Sequence, residues 1–203
     1  MVETFSNKYY FVGSSVVNDV YKKTLNNRKQ IYISLGTVNN QNNNFYRNCI
    51  NAFKNYDIDV VMSVGKDTDI KSLEDIPNNF CVKNSVNQIK VLQNSDAFIT
   101  HCGMNSVNES LYYGVPMILF PQQSEQRMIA NRVLDLGAGI MLKKNNIKDI
   151  KKSTLEVVNN DMYKENAIKL SKSFKSSGGA KKASDAILNI IDTKVMLQSK
   201  RKL

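Results

Sequence analysis

Residues 98–132, FITHCGMNSVNESLYYGVPMILFPQQSEQRMIANR, constrain the fold of this chain more than any other stretch. They read as strand, glycine turn, helix, strand, polar loop and helix. Ala97 to Thr100 is short, apolar and β-branched, the pattern of a buried strand. His101-Cys102-Gly103 makes a turn. Asn105 and Ser106 are capping residue types at the mouth of a helix that carries Leu111 and Tyr112. Gly114-Val115-Pro116 stops that helix, and Met117 to Phe120 form a second buried strand. A turn of this kind aims free backbone N–H groups and the positive end of a helix dipole at one point, which suits a phosphate.

The remaining chain repeats the alternation. Tyr9 to Val12 is a candidate short strand, but residues 1–30 otherwise hold few periodic apolar positions and read as a linker ahead of a domain at 31–203. Ile31 to Leu35 is a buried-type strand closing on Gly36-Thr37, and Asn39 to Asn44 is an Asn/Gln-rich loop. Phe45, Cys49, Ala52 and Phe53 recur at helical spacing. Asp59 to Val64 is a strand ending on Gly65. Lys66 to Asn79 is polar and mostly loop, with Pro77 barring a helix. Phe80 to Val82 and Ala138 to Leu142 are short strands, and Gln88 to Leu92 a short helix. Ile147 to Asn159, Asp161 to Phe174 and Ala180 to Leu197 read as three helices.

Strands alternating with helices imply right-handed crossovers and an α/β, Rossmann-like parallel sheet with helices on both faces. Ligands of such sheets sit beyond the carboxyl ends of the strands. Those ends carry Gly36-Thr37, Gly65, Ser85-Val86, His101-Cys102-Gly103 and Pro121-Gln122, so they converge on one rim as a nucleotide site.

Composition sets the outer limits. The 203 residues, 42% of them apolar, suit one domain with a substantial core. No apolar run approaches the roughly 18 residues a membrane span needs, and the N-terminal residues lack a signal peptide's apolar segment. Three cysteines without metal-ligand spacing fit a reduced, cytoplasmic protein, and the single histidine excludes a His-rich metal site. The net charge of +10 is uneven: from Lys143 onward 15 Lys and Arg face 6 Asp and Glu, a surplus of 9. Either a solvated lysine-rich helical surface or a patch for anionic membrane or nucleic acid would look like this. Only two aromatics, Tyr163 and Phe174, fall among the lysines, too few for a stacking platform, so a nucleic-acid partner is not expected.

Ile33-Ser34-Leu35-Gly36-Thr37, then Val86-Asn87-Gln88, then His101-Cys102-Gly103-Met104-Asn105-Ser106 with Glu109, Gly114-Val115-Pro116 and Glu125-Gln126 carry a resemblance. In order and spacing they resemble the C-terminal, donor-binding half of a GT-B glycosyltransferase. The family includes bacterial macrolide glycosyltransferases and the UDP-glucuronosyl and UDP-glucosyl transferases of plants and animals. The resemblance implies that His101 and the segment Gly103, Met104, Asn105 and Ser106 hold a diphosphate, with Thr37 nearby. Glu109 accepts the ribose hydroxyls, and Val86 and Gln88 lie on the uracil side. Glu125 and Gln126 bind the hydroxyls of the donor sugar. It implies a UDP-sugar as donor substrate, no cofactor and no metal. Read alone, several of these residues have plainer roles: His101 as a strand cap, Glu109 as a surface helix residue, and Glu125 and Gln126 as a first helical turn. Met104 reads as packing and Cys102 as a small residue at a tight turn, since no second histidine exists to activate it.

Two departures stand out. Ser85 occupies the place of the Trp that stacks on uracil in the plant signature, and Asn87 replaces a Pro. The family enzymes are also about twice as long, and their N-terminal domain carries the acceptor pocket and a histidine general base. No catalytic base is therefore expected within this chain, and the last helix, which in the family crosses to that domain, would expose an apolar stripe. Three accounts follow: the donor half of a longer enzyme, a subunit that finds its acceptor half on another chain, or a UDP-sugar-binding module without catalysis.

Overall fold

Along β1 (Lys29–Ser34) the side chains alternate between two cores: Ile31 and Ile33 join one, Tyr32 the other. This is the period of two that a strand imposes, here with both faces covered. The structure, a computed structural model, describes residues 9–16, 28–38 and 40–200, with side chains to residue 191. The other strands are β2 (Ile58–Ser63), β3 (Phe80–Lys83), β4 (Ala97–Thr100), β5 (Met117–Leu119) and β6 (Gly139–Met141). All pair in parallel in the order β3-β2-β1-β4-β5-β6. The chain runs outward from β1 to β3, crosses back to β4, then runs outward again. That reversal makes the β1–β4 boundary the switch point of a doubly wound sheet.

Helices α1 (Asn43–Phe53) and α5 (Ile147–Asn159) cover one face, burying Phe45, Phe53, Ile150 and Val157 against Ile33, Ile99 and Ile118. The other face receives α2 (Gln88–Leu92), α3 (Met104–Tyr112), α4 (Ser124–Asp135) and α6 (Asp161–Ser176), through Leu92, Val107, Leu111, Val133 and Ala167. Tyr32 and Phe98 stack there at 4.6 Å between ring centroids. Such a pair contributes about 0.5–1.5 kcal/mol beyond its buried area. On the rear of α3, Lys164 Nζ donates to the Gly114 carbonyl (2.8 Å) and Ser171 Oγ to that of Tyr112. These bonds hold α6 against the end of α3.

The expected parallel α/β sheet is present, with element ends shifted by up to three residues. The segment 66–79 contains a 3₁₀ turn at Ile70–Leu73, started by the Asp69 side chain accepting from the Lys71 N–H. Most of the expected linker 1–30 lies outside the described residues. Residues 9–16 are irregular, so the expected strand at Tyr9–Val12 is absent. The Val12 carbonyl accepts from the Gly179 N–H (2.6 Å), at the start of α7 (Gly179–Lys200), and not from a neighbouring strand. Beyond that contact α7 exposes Ile187, Leu188, Ile190 and Ile191, each about half accessible. This is the apolar stripe expected of the last helix.

The two apolar environments should respond differently to substitution. Ile99, fully buried on β4, is expected to lose about 2–5 kcal/mol on Ile99→Ala. Ile187→Ser, at a position 57% exposed, should stay within about 0.5 kcal/mol of the parent. Urea unfolding of the two variants measures the contrast.

Candidate functional site

The loops that leave β1, β2, β3 and β4 enclose a cleft of 690 Å³ beside the switch point. That size suits a small-molecule ligand. Of the residues expected at a nucleotide site, Thr37, Val86, Gln88, His101, Gly103, Met104, Asn105, Ser106 and Glu109 all line the cleft. Glu125 and Gln126 do not line it. They occupy the first turn of α4, Glu125 exposed and Gln126 half-buried, and the Pro121-Gln122 loop is likewise set apart from the lining.

The turn from β4 into α3 is built from short-range bonds. Thr100 Oγ1 accepts from the Cys102 N–H (3.1 Å), and Cys102 takes a φ of 68°, a left-handed conformation uncommon for a residue with a Cβ. Cys102 is fully buried, and burial pushes its thiol up to about 12, which agrees with a turn residue and not a nucleophile. Gly103 is the N-cap of α3, and no side chain caps the helix. The expectation that Asn105 and Ser106 cap it is corrected: they sit inside the first turn, one and two residues past the first helical position, whereas a capping side chain stands on the residue before the helix, here Gly103. The first-turn N–H groups of Met104, Asn105 and Ser106 are thus left to the cleft. Met104 is half exposed at this mouth and not packed in the core.

The imidazole of His101 is wedged between two glycines. A methyl built on Gly36 would lie 2.6 Å from Nε2, and one built on Gly103 2.5 Å from it. Among the described residues Nδ1 is buried with no hydrogen-bond partner at normal geometry. Burial holds the ring's pKa below the usual 6.5, with the Ser34 backbone acting weakly in the opposite direction. The histidine therefore enters the site neutral, as a hydrogen-bonding group and not as a charge.

Within the same cleft a chain of side-chain bonds crosses three elements. Tyr32 Oη on β1 donates to Gln88 Oε1 on α2 (3.1 Å). Gln88 Nε2 donates to Glu109 Oε2 on α3 (2.6 Å) and to Ser106 Oγ (3.3 Å). Tyr32 is 1% exposed, and burial, reinforced by the Glu109 carboxylate, raises its pKa to about 12, so the phenol keeps its proton to donate. Asn40 and Asn84 fix the loops. Asn40 Nδ2 donates to the Gly36 carbonyl (2.9 Å), and Asn84 Nδ2 to the carbonyls of Gly65 (2.7 Å) and Thr68 (2.8 Å).

Tyr32, Asn40, Asn84 and Lys66, all in the lining, went unassigned in the sequence. One signal for Tyr32 was present: a tyrosine inside an apolar strand needs a partner for its hydroxyl. The asparagines gave none, because their partners are backbone groups of distant loops. Gln126 Oε1 accepts from the N–H groups of Gln122 (2.8 Å) and Gln123 (3.2 Å), a back-bond that shapes the start of α4.

A family model described as "UDP-glucoronosyl and UDP-glucosyl transferase" matches residues 20–178. The chain belongs to this family. It is 40% identical over 191 residues to the NDP-glycosyltransferase YjiC of Bacillus subtilis (strain 168), covering 91% of this chain and 49% of that one. It is 36% identical over 201 residues to the uncharacterized UDP-glucosyltransferase YojK of the same organism, covering 96% and 50%. Among solved structures, the calicheamicin glycosyltransferase CalG4 superposes with a TM-score of 0.83 at 26% identity, over 91% of this chain and 47% of that one. The fold is accordingly that of one half of a GT-B glycosyltransferase. The chain spans about half the length of the relatives it matches.

Because His101 is the sole histidine, its titration can be followed without ambiguity by NMR. Its midpoint is expected below 6.5. Above that pH the ring is neutral in folded and unfolded chains alike and adds nothing to stability. As pH falls through 6.5 the unfolded chain takes the proton first, so stability declines until the folded pKa is passed. Gly103→Ala, which forces the ring outward, should move the midpoint up toward 6.5.

Proposed function

We propose that this chain is the donor-binding domain of a glycosyltransferase that moves a hexose from a UDP-sugar to an acceptor hydroxyl. One observation carries the reading: the uncapped first turn of α3, His101 and the Gln88–Glu109 pair face one cleft at the switch point. The first-turn N–H groups and the neutral His101 donate to the diphosphate, and the helix dipole favours its negative charge. Glu109 lies one turn along α3 and accepts the ribose hydroxyls. Val86 and its neighbours take the base, with Ser85 leaving it without an aromatic platform. Gln126, with Oε1 engaged by backbone N–H groups, keeps Nε2 to donate to a sugar hydroxyl, and Glu125 beside it accepts.

Chemically, the acceptor oxygen attacks the anomeric carbon from the face opposite the nucleotide as a general base takes its proton. The bond from that carbon to the phosphate oxygen breaks, and UDP leaves with the electron pair, which inverts the centre. Donors already aimed at the diphosphate oppose its growing charge without rearranging, and the reading needs no metal there. The base and the acceptor pocket belong to a second, N-terminal-type domain, in a longer enzyme of which these residues are the donor half or on a partner. The length of the relatives and the apolar residues exposed on α7 support this division.

Calorimetric titration with UDP tests the donor site. Binding is expected in the micromolar to millimolar range and unchanged by EDTA. Glu109→Ala should weaken it about tenfold or more, the loss of a charge-assisted hydrogen bond. A folded chain that ignores UDP, or a variant that binds it as well as the parent, contradicts the assignment.

A further inference from the structure

Glu109 does not set its own orientation. Its Oε2 is held by Gln88 Nε2 at 2.6 Å, a short charge-assisted bond, and a carboxylate so held keeps one edge turned toward its partner. Gln88 can make that bond only with its amide nitrogen toward α3. Turned about, it would set its oxygen against a carboxylate oxygen, two acceptors with no proton between them. The group that fixes the amide is Tyr32, whose hydroxyl donates to Gln88 Oε1 from the floor of the cleft. The phenol is itself immobile, stacked on Phe98 and 1% exposed. A rigid β1 side chain thus dictates the direction of an α2 amide, and through it the pose of an α3 carboxylate.

We infer that Tyr32 is a positioning residue for ribose selection, acting through Gln88 to hold Glu109 where it accepts both ribose hydroxyls. The inference rests on the donor-site reading above, which assigns Glu109 to the ribose. Tyr32 does not need to touch the nucleotide. Its removal should leave base and diphosphate contacts intact while loosening the one group that distinguishes a ribose from a 2′-deoxyribose.

The test compares UDP with 2′-deoxy-UDP by calorimetry on the parent chain, Tyr32→Phe, Glu109→Ala and the double variant. Phenylalanine keeps the stack on Phe98, so melting should show a folded protein. Tyr32→Phe should weaken UDP about threefold to tenfold, the range of one lost hydrogen bond, and weaken 2′-deoxy-UDP, which keeps only the 3′-hydroxyl, distinctly less. In the Glu109→Ala background it should have no further effect on UDP, since residues acting in one chain are not additive. Gln88→Met, which cuts the same chain at its middle and leaves the tyrosine in place, should also narrow the preference for UDP. Equal losses for both nucleotides on Tyr32→Phe, or the full loss persisting without Glu109, would show a core residue only and overturn the inference. So would undiminished discrimination in either Tyr32→Phe or Gln88→Met. In those cases a Glu109→Ala effect on the parent leaves the donor-site reading standing, whereas a folded parent that ignores UDP removes both.

Discussion

The first turn of α3 carries backbone N–H groups that no side chain caps, and the rest of the cleft is arranged around that fact. A helix start normally satisfies these donors with a Ser, Thr, Asn or Asp at the N-cap. Here the N-cap is Gly103, and its lack of a side chain has two consequences. The donors stay available to a ligand, and the His101 ring can lie against the glycine where a Cβ would displace it. The left-handed Cys102 and its bond to Thr100 turn the chain sharply enough to bring α3 to the cleft directly from the strand end. The doubly wound sheet supplies the place, since only at the β1–β4 boundary do neighbouring loops part and leave room.

Charge in the cleft is handled by dipoles more than by ions. Its lining holds one lysine, Lys66, against the carboxylates of Asp67 and Glu109, and the histidine is kept neutral by burial. A diphosphate placed there would meet oriented N–H groups, which cost no reorganisation when charge moves onto the leaving group. The lysine surplus lies largely elsewhere, on α5, α6 and α7, consistent with a solvated surface.

Much of this was legible in the sequence, because the signals were local. Buried strands such as Ala97–Thr100 announce themselves by apolar, β-branched runs, and the series from His101 to Glu109 sits on one turn and one helix. What was not legible depends on contacts between distant segments. Tyr9–Val12 has the composition of a strand, yet its carbonyl is taken by Gly179, some 170 residues away, instead of a sheet neighbour. Asn105 and Ser106 are capping residue types, whereas Gly103 before them holds the capping position. Tyr32, Asn40 and Asn84 act through partners on other loops, so no window of sequence contains both ends of their bonds.

The central claim is that a nucleotide diphosphate lands on the first turn of α3. Following backbone amide and imidazole NMR signals during titration with UDP tests it most directly. The account predicts saturable shifts concentrated at Gly36, Gln88, Gly103 to Ser106 and the His101 ring, with α5 and α7 unmoved. Saturable shifts centred on the lysine-rich helices, with the α3 turn silent, would contradict it.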